Sequence, residues 1–342
     1  MTHASQYSRA GVNIAAGQRA VELMGAAVRA TYGPEVLAGL GAFGGLYDAS
    51  GLRAMAAPVL VVSTDGVGTK TKVASRLARW DTLGHDLVNH CINDILVQGA
   101  RPLFFLDYVA SSHLDPEQVA TIVQGVAAAC REAGCALLGG ETAEMPDVYQ
   151  PGEIDLVGTV VGVVERAQVL DGTRIEAGDV ILGLPSTGLH TNGFSLARSI
   201  LNDLDWTAPL PELGCSPGEA LLAVHRSYLE PVHRLWAAGV DLRGLAHVTG
   251  GGIVDNLPRI FPPGLGAVIR RGTWPEPPIF GLIQRLGQVA DDEMLRVFNG
   301  GLGMLAIVPP NDIALALATL PGDASVVGEI VAGQPEVAIH PA

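Results

Sequence analysis

Strand-like and helix-like runs are interleaved along this chain, but in several places one strand-like run closely follows another. That order favours mixed sheets with flanking helices over a simple doubly wound parallel sheet. Buried-strand patterns fall at residues 58–63, 103–109, 136–138 and 155–164, then at 180–184, 266–269, 302–308 and 325–331. Helical periodicity marks 18–32, with Val21, Met24 and Val28 apolar, and then 81–98 and 115–133. The last of these opens on Asp115-Pro116-Glu117 and stops at Gly134. Further helices are expected at 193–204, 218–238, 254–260 and 311–320. A chain of 342 residues exceeds what one core usually serves. A charged, turn-rich stretch at 165–179 divides it, so the expected fold is α+β in two domains, 1–168 and 169–342.

Composition restricts location and partners. The apolar runs at 119–130 and 156–164 fall well short of the ~20 residues of a membrane span. Residues 1–17 show no apolar signal-peptide region, and Cys91, Cys130, Cys135 and Cys215 form no CxxC pair. A cytoplasmic protein is expected, without membrane contact. A formal net charge of −14 argues against nucleic-acid partners. A polyphosphate ligand would then need local positive charge, which carboxylate-held metal ions supply.

Several segments carry candidate chemistry. Ser63-Thr64-Asp65-Gly66-Val67-Gly68-Thr69-Lys70 follows the first strand pattern. Its glycines let backbone N–H groups approach a phosphate, and the lysine adds a point charge. The spacing fits neither G-x-x-x-x-G-K-[ST], since only Val67 separates the glycines, nor G-x-G-x-x-G, since Thr71 stands where the third glycine would fall. Lys70 and Lys72 are the only lysines of the chain. A compact ammonium suits a tight phosphate site better than a guanidinium fork, so Lys70 is expected there and Lys72 in solvent. Asp94 interrupts a mostly apolar helix and needs a partner or a metal. Glu141, in Gly139-Gly140-Glu141-Thr142-Ala143-Glu144-Met145-Pro146, stands at a strand end. If Asp65, Asp94 and Glu141 converge, they form an all-oxygen Mg²⁺ site; His85 and His90 lack the HExxH pattern of a zinc site. In the second half, Ser186–Gly193, His247–Gly252 and Phe298–Gly303 are polar glycine turns. His190 is a candidate acid/base or hydrogen-bond donor. The glycine-rich stretch 39–45 reads either as a flap or as a packed turn.

In order, residues 7–12, 41–46, 64–70, 93–105 (with Gln98-Gly99-Ala100), 139–146, 188–196, 247–252 and 298–304 resemble the phosphoribosylformylglycinamidine cyclo-ligase (AIR synthetase) family over essentially the whole chain. FGAM synthetases, selenophosphate synthetases, thiamine-monophosphate kinases and a hydrogenase maturation factor share the wider pattern. The first cysteine here is Cys91, whereas selenophosphate synthetases carry a reactive one near the N-terminus. Gly-Glu-Thr-Ala-Glu-Met-Pro and His-Thr-Asn-Gly favour the cyclo-ligases. Asn13, Ala42 and Thr191 depart from the family's usual Asp, Gly and Ser, and Gly300 sits at a variable position.

The resemblance implies an AIR synthetase-like fold whose N-terminal sheets pair across a homodimer. It implies ATP and Mg²⁺ as cofactors and formylglycinamidine ribonucleotide as substrate, in purine biosynthesis. ATP would phosphorylate the formyl oxygen; the amidine nitrogen would then attack that carbon, closing the imidazole as phosphate leaves. Asp65, Asp94 and Glu141 are expected on the metal, and Asp65, Gly66, Gly68, Thr69 and Lys70 on ATP. Lys70, Asp94 and His190 are the candidate catalytic residues. Thr142, His190, Asn192, His247, Thr249, Gly250 and Asn299 are expected on the substrate, its phosphate at 188–193 or 249–252. The alternatives are another ATP-using member of the superfamily or a non-catalytic ATP-binding homologue.

Overall fold

The structure, a computed structural model, describes residues 13–341; the 7–12 segment of the resemblance lies outside them. The chain divides into two compact units. One holds the described residues through Ile95 with Ala100–Ala167, and the other holds Leu96–Gly99 with Gln168 onward.

In the first unit, α1 (Ile14–Arg29) begins four residues before the expected start because Asn13 caps it, its side chain accepting from Ala16 N–H. Strands β1 (Val36–Ala38) and β2 (Leu46–Tyr47) form a small ladder around the glycine-rich segment. Strand β3 (Pro58–Gly66) runs past Ser63, so Asp65 is a strand residue. A short α2 (Thr71–Leu77) precedes α3 (Leu83–Leu96). Strand β4 (Arg101–Ser111), α4 (Pro116–Glu132), β5 (Ala136–Glu144) and β6 (Ile154–Glu165) follow. Asp115 caps α4 with Pro116 in its first turn.

The sheet order is β3-β6-β4-β5. Only β4–β5 is parallel, and α4 is its crossover. β5 outruns the expected 136–138 because its pairing with β4 continues through Ser111↔Glu144. Glycines on β6 let α3 lie close on one face: a Cβ at Gly158 would stand 2.3 Å from Phe105 and 3.0 Å from Leu87. The opposite face leaves Leu60 and Val62 each 59% exposed.

The second unit is a six-stranded sheet, β12-β9-β11-β7-β10-β8, antiparallel except for β12–β9. Its strands are β7 (Val180–Pro185), β8 (Gly244–His247), β9 (Leu265–Arg271), β10 (Leu302–Val308), β11 (Ser325–Ala332) and β12 (Val337–Pro341). Ile181, Ile253, Trp274, Leu302 and Ile307 pack in its core. Helices α5 (Phe194–Ile200), α6 (Pro217–Leu222), α7 (Leu229–Ala237), α8 (Gly252–Asn256), α9 (Pro278–Gly287), α10 (Asp291–Val297) and α11 (Ile313–Thr319) flank it. The single helix expected over 218–238 is two. Residues 223–228 leave the helical path, and Arg226 and Tyr228 anchor them by donating to the Pro185 carbonyl at 3.1 and 2.9 Å. The helix expected over 254–260 stops at Asn256 and continues as a 3₁₀ turn, Leu257–Ile260, because Pro258 supplies no N–H. The helix expected to begin at Lys72 is α2, whereas strands β1, β2, β8 and β12 and helices α9 and α10 were not anticipated.

Candidate active site

In the first unit, α3 sets Asp86, His90 and Asp94 at successive four-residue steps, hence along one face. That face meets the end of β3. His90 Nε2 lies 2.7 Å from Asp65 Oδ2 and 4.0 Å from Asp94 Oδ2. Ser63 Oγ donates to Asp94 Oδ2 at 3.0 Å, and Gly66 N–H donates to Asp65 Oδ1 at 2.7 Å. The structure therefore brings Asp65 and Asp94 together, with His90 between them. Burial alone would raise the Asp65 carboxyl; the hydrogen bond and charge of His90 outweigh it and hold it below its ordinary value. Burial alone would lower His90, and Asp65 reverses that shift upward. The Asp65 and Asp94 side chains keep 43% and 29% of their surface exposed, so both carboxylates remain open to a ligand. Gly68, at φ +61°, and Thr69 are exposed beside them.

Two expectations need correction. Lys70 does not present its ammonium at the surface: its side chain is fully buried, with Nζ 2.8 Å from Asp86 Oδ1. The 3₁₀ turn Gly68–Lys70 rolls the side chain inward, and Asp86 supplies the counter-charge. Lys72, expected in solvent, keeps 38% of its side chain exposed and pairs with Glu153 there. Glu141, the second, does not converge with Asp65 and Asp94. The register sets Asp65, Gly158, Asp107 and Gly140 in one row across the sheet, and Gly66, Val157, Tyr108 and Glu141 in the next. Adjacent rows point to opposite faces, and three strand spacings, about 14 Å, separate the rows' ends. No group of three ligating side chains including Glu141 forms among the described residues.

Glu141 and Thr142 stand instead at cavities along β5. One, of about 450 Å³, lies between β5 and the 39–45 segment and includes Asp107, Gly140 and Glu141 in its wall. The other, of about 280 Å³, has Asp107, Glu141 and Thr142 in its wall and is closed by α1. Gly45 lies against β5, its absent Cβ 2.4 Å from Leu138, while Phe43 is fully exposed. Asp107 was missed by sequence reasoning, although an acid inside an apolar strand pattern was the available signal. It is buried, its Oδ1 occupying the space a Gly140 Cβ would need, and burial pushes its carboxyl up to about 7.

In the second unit, the strand order explains why three glycine loops meet. β7 and β8 both run antiparallel to β10, so their C-terminal ends flank its start: Pro185 pairs with Leu302, and His247 with Met304. The loops at 186–193, 248–252 and 298–301 therefore share one edge of the sheet. Asn299 ties two of them, its Nδ2 donating to Gly188 O at 2.8 Å and its Oδ1 accepting from Ser186 Oγ at 3.0 Å. Asn192 Oδ1 lies 3.3 Å from where a Gly250 Cβ would stand. Thr249 Oγ1 turns to Asn256 Oδ1 at 3.2 Å.

His190, at φ +61°, accepts at Nε2 from Thr187 N–H at 3.3 Å, which puts the hydrogen of the neutral ring on Nδ1. Its ring stacks on His225 at 4.1 Å between centroids, and His225 Nε2 lies 3.1 Å from His247 Nε2. Gly303 makes room for these rings: a Cβ there would stand 2.0 Å from Tyr228 Oη and 2.5 Å from His190 Cε1. His190, Asn192, His247, Gly250 and Asn299 are thus brought together, and Thr142 belongs to the other unit. His225 is the functional candidate that the expectation of a continuous helix concealed.

Comparison with known proteins accords with both units. Residues 47–164 match the N-terminal domain of AIR synthase related proteins, and residues 176–340 match the C-terminal domain. Phosphoribosylformylglycinamidine cyclo-ligase of Desulfitobacterium hafniense is 54% identical over 307 residues, 90% of each chain. That of Carboxydothermus hydrogenoformans is 49% identical over 98% of each chain. Among solved structures, the hydrogenase maturation protein HypE in complex with ATP superimposes with a TM-score of 0.68 at 20% identity, covering 95% of this chain and 91% of its own. The chain belongs to the AIR synthase related family, among the phosphoribosylformylglycinamidine cyclo-ligases.

Proposed function

We propose that this chain is the ATP-dependent cyclo-ligase of purine biosynthesis that converts formylglycinamidine ribonucleotide to aminoimidazole ribonucleotide, ADP and phosphate, and that the Asp65–His90–Asp94 cluster is its phosphoryl-transfer site. The observation that carries the site assignment is the convergence of two part-exposed carboxylates beside an exposed glycine turn. The fold likeness to an ATP-bound protein supports the nucleotide.

An amide oxygen is a poor leaving group, and phosphorylation makes it a good one. Phosphoryl transfer asks mainly for positioning and charge neutralisation. The donor set fits Mg²⁺: Asp65 and Asp94 offer carboxylate oxygens, with the Ser63 hydroxyl behind Asp94. Bound there, the ion would neutralise phosphate charge in a protein of net charge −14. His90 holds Asp65 ionised and aimed, and the exposed residues Gly68 and Thr69 stand where the phosphates would bind. Lys70 acts beneath this floor, as the counter-ion of Asp86. In the second unit, the histidines and Asn299 hold the glycine loops that receive the substrate.

The uncovered sheet face with Leu60 and Val62 fits pairing with a second copy of this chain. Among the described residues no helix is long and apolar enough to cross a membrane, and four free cysteines suit a reducing cytoplasm.

The test is ADP release dependent on formylglycinamidine ribonucleotide, with thiamine monophosphate and selenide as competing substrates. Asp65→Asn and Asp94→Asn should each lower kcat about a thousandfold, some 4 kcal/mol of transition-state stabilisation, with the circular-dichroism spectrum intact. Near-normal turnover in both purified variants sinks the site assignment. Turnover of another substrate moves the protein to a sister activity, and ATP binding without turnover makes it a non-catalytic homologue.

A further inference from the structure

His225 stands in none of the three glycine loops. It arrives on the non-helical stretch between α6 and α7 and is completely buried. Both of its ring nitrogens have partners: Nδ1 lies 3.3 Å from Thr191 Oγ1, and Nε2 lies 3.1 Å from His247 Nε2. His190 stacks on its face with an interplanar angle of 20°.

Two imidazole nitrogens at 3.1 Å need one hydrogen between them. With neutral rings there are two arrangements. Either His225 donates through Nε2 and accepts from the Thr191 hydroxyl at Nδ1, leaving the hydrogen of His247 on Nδ1. Or His247 donates through Nε2, and His225 donates through Nδ1 to Thr191. The Thr191 hydroxyl and the two rings therefore change state together, and the tautomer of His247 is not set by His247 alone. His247 closes β8 and opens the loop 248–252, so its ring orientation bears directly on that loop.

We infer that His225 is a positioning residue of the substrate site, holding the His247 ring in one orientation and tying its tautomer to the Thr191 hydroxyl through the Thr191–His225–His247 chain. The inference rests on the cyclo-ligase reading for its kinetic arm only. A histidine imposes this through Nε2, which glutamine reproduces with its terminal amide; asparagine reproduces only the Nδ1 position facing Thr191.

The test uses the full chain with ¹⁵N-labelled histidine rings, the His247 signals being assigned by their loss in His247→Gln. The wild type should show a scalar coupling between His225 Nε2 and His247 Nε2 across their shared hydrogen. In His225→Ala, the His247 Nε2 signal should shift, and kcat/KM for formylglycinamidine ribonucleotide should fall at least about tenfold, the order expected of a misplaced binding group. His225→Gln should restore the His247 Nε2 signal and recover kcat/KM to within about threefold of wild type, and His225→Asn should do neither. Unchanged His247 signals in His225→Ala, or rescue by Asn equal to that by Gln, would show that the ring only fills space and overturn the inference. Absence of turnover in the wild type refutes the cyclo-ligase reading, and the ring-nitrogen signals then decide the positioning claim alone.

Discussion

Replacing Lys70 by Met would leave the Asp86 carboxylate in the core without its ammonium. Nζ and Oδ1 are 2.8 Å apart, and both side chains are fully buried. At an effective dielectric of about 20, unit charges at that separation attract by about 6 kcal/mol. Most of that attraction offsets the cost of taking two ions out of water, so the pair as a whole contributes little while each partner depends strongly on the other. Burial indeed pushes the Lys70 ammonium below its ordinary pKa, and Asp86 opposes that shift. Lys70→Met should therefore destabilise the protein by about 3–5 kcal/mol, whereas the double variant Lys70→Met/Asp86→Leu should lie near wild type. For a unit of this size, the single variant's melting temperature should drop by roughly 10 °C. Urea and thermal unfolding of the singles and the double, followed by circular dichroism, measure the coupling. The competing view, a lysine on the nucleotide phosphates, expects a raised KM for ATP with unchanged stability. An unshifted midpoint in Lys70→Met, or a double variant no better than the single, refutes the core-pair argument.

Two further predictions concern the same unit. The folded-state pKa of Asp107, about 7, exceeds the unfolded value of about 3.9, so the folded state keeps a proton the unfolded state has lost. Stability should consequently fall as pH rises from about 4 to about 7. Asp107→Asn should flatten that fall and gain up to about 4 kcal/mol over its parent at pH 8 relative to pH 4, read from urea midpoints at the two values; parallel pH dependences contradict it. Val62→Asp places a charge on the uncovered sheet face and should weaken self-association at least about tenfold in sedimentation velocity. A dimer that survives both this change and Leu60→Asp does not use that face.

The parts of the site that were legible in the sequence are those fixed within one element. An acid at the end of a β-pattern and another inside an apolar helix announced Asp65 and Asp94, and the four-residue steps from Asp86 through His90 to Asp94 were there to be read as one helix face. The misreadings depend on partners far away in sequence. A lysine after a glycine turn looks the same whether it faces a phosphate or a carboxylate, and Asp86 decided it from sixteen residues on. Glu141 was lost to parity: the pairing of β4 with β5 slips between Phe105 and Leu106, and one extra residue reverses the face each later side chain takes. The convergence of the second-unit loops needs the order β7-β10-β8, which no local pattern encodes. Once that order is known, meeting of the loops follows from antiparallel pairing alone. The break at 223–228 completes the arrangement: carried on an unbroken helix, His225 would keep helical spacing from Leu221 and Leu229. Released from it and pinned by Arg226 and Tyr228 on Pro185, the segment brings a third imidazole to an edge where two already stand.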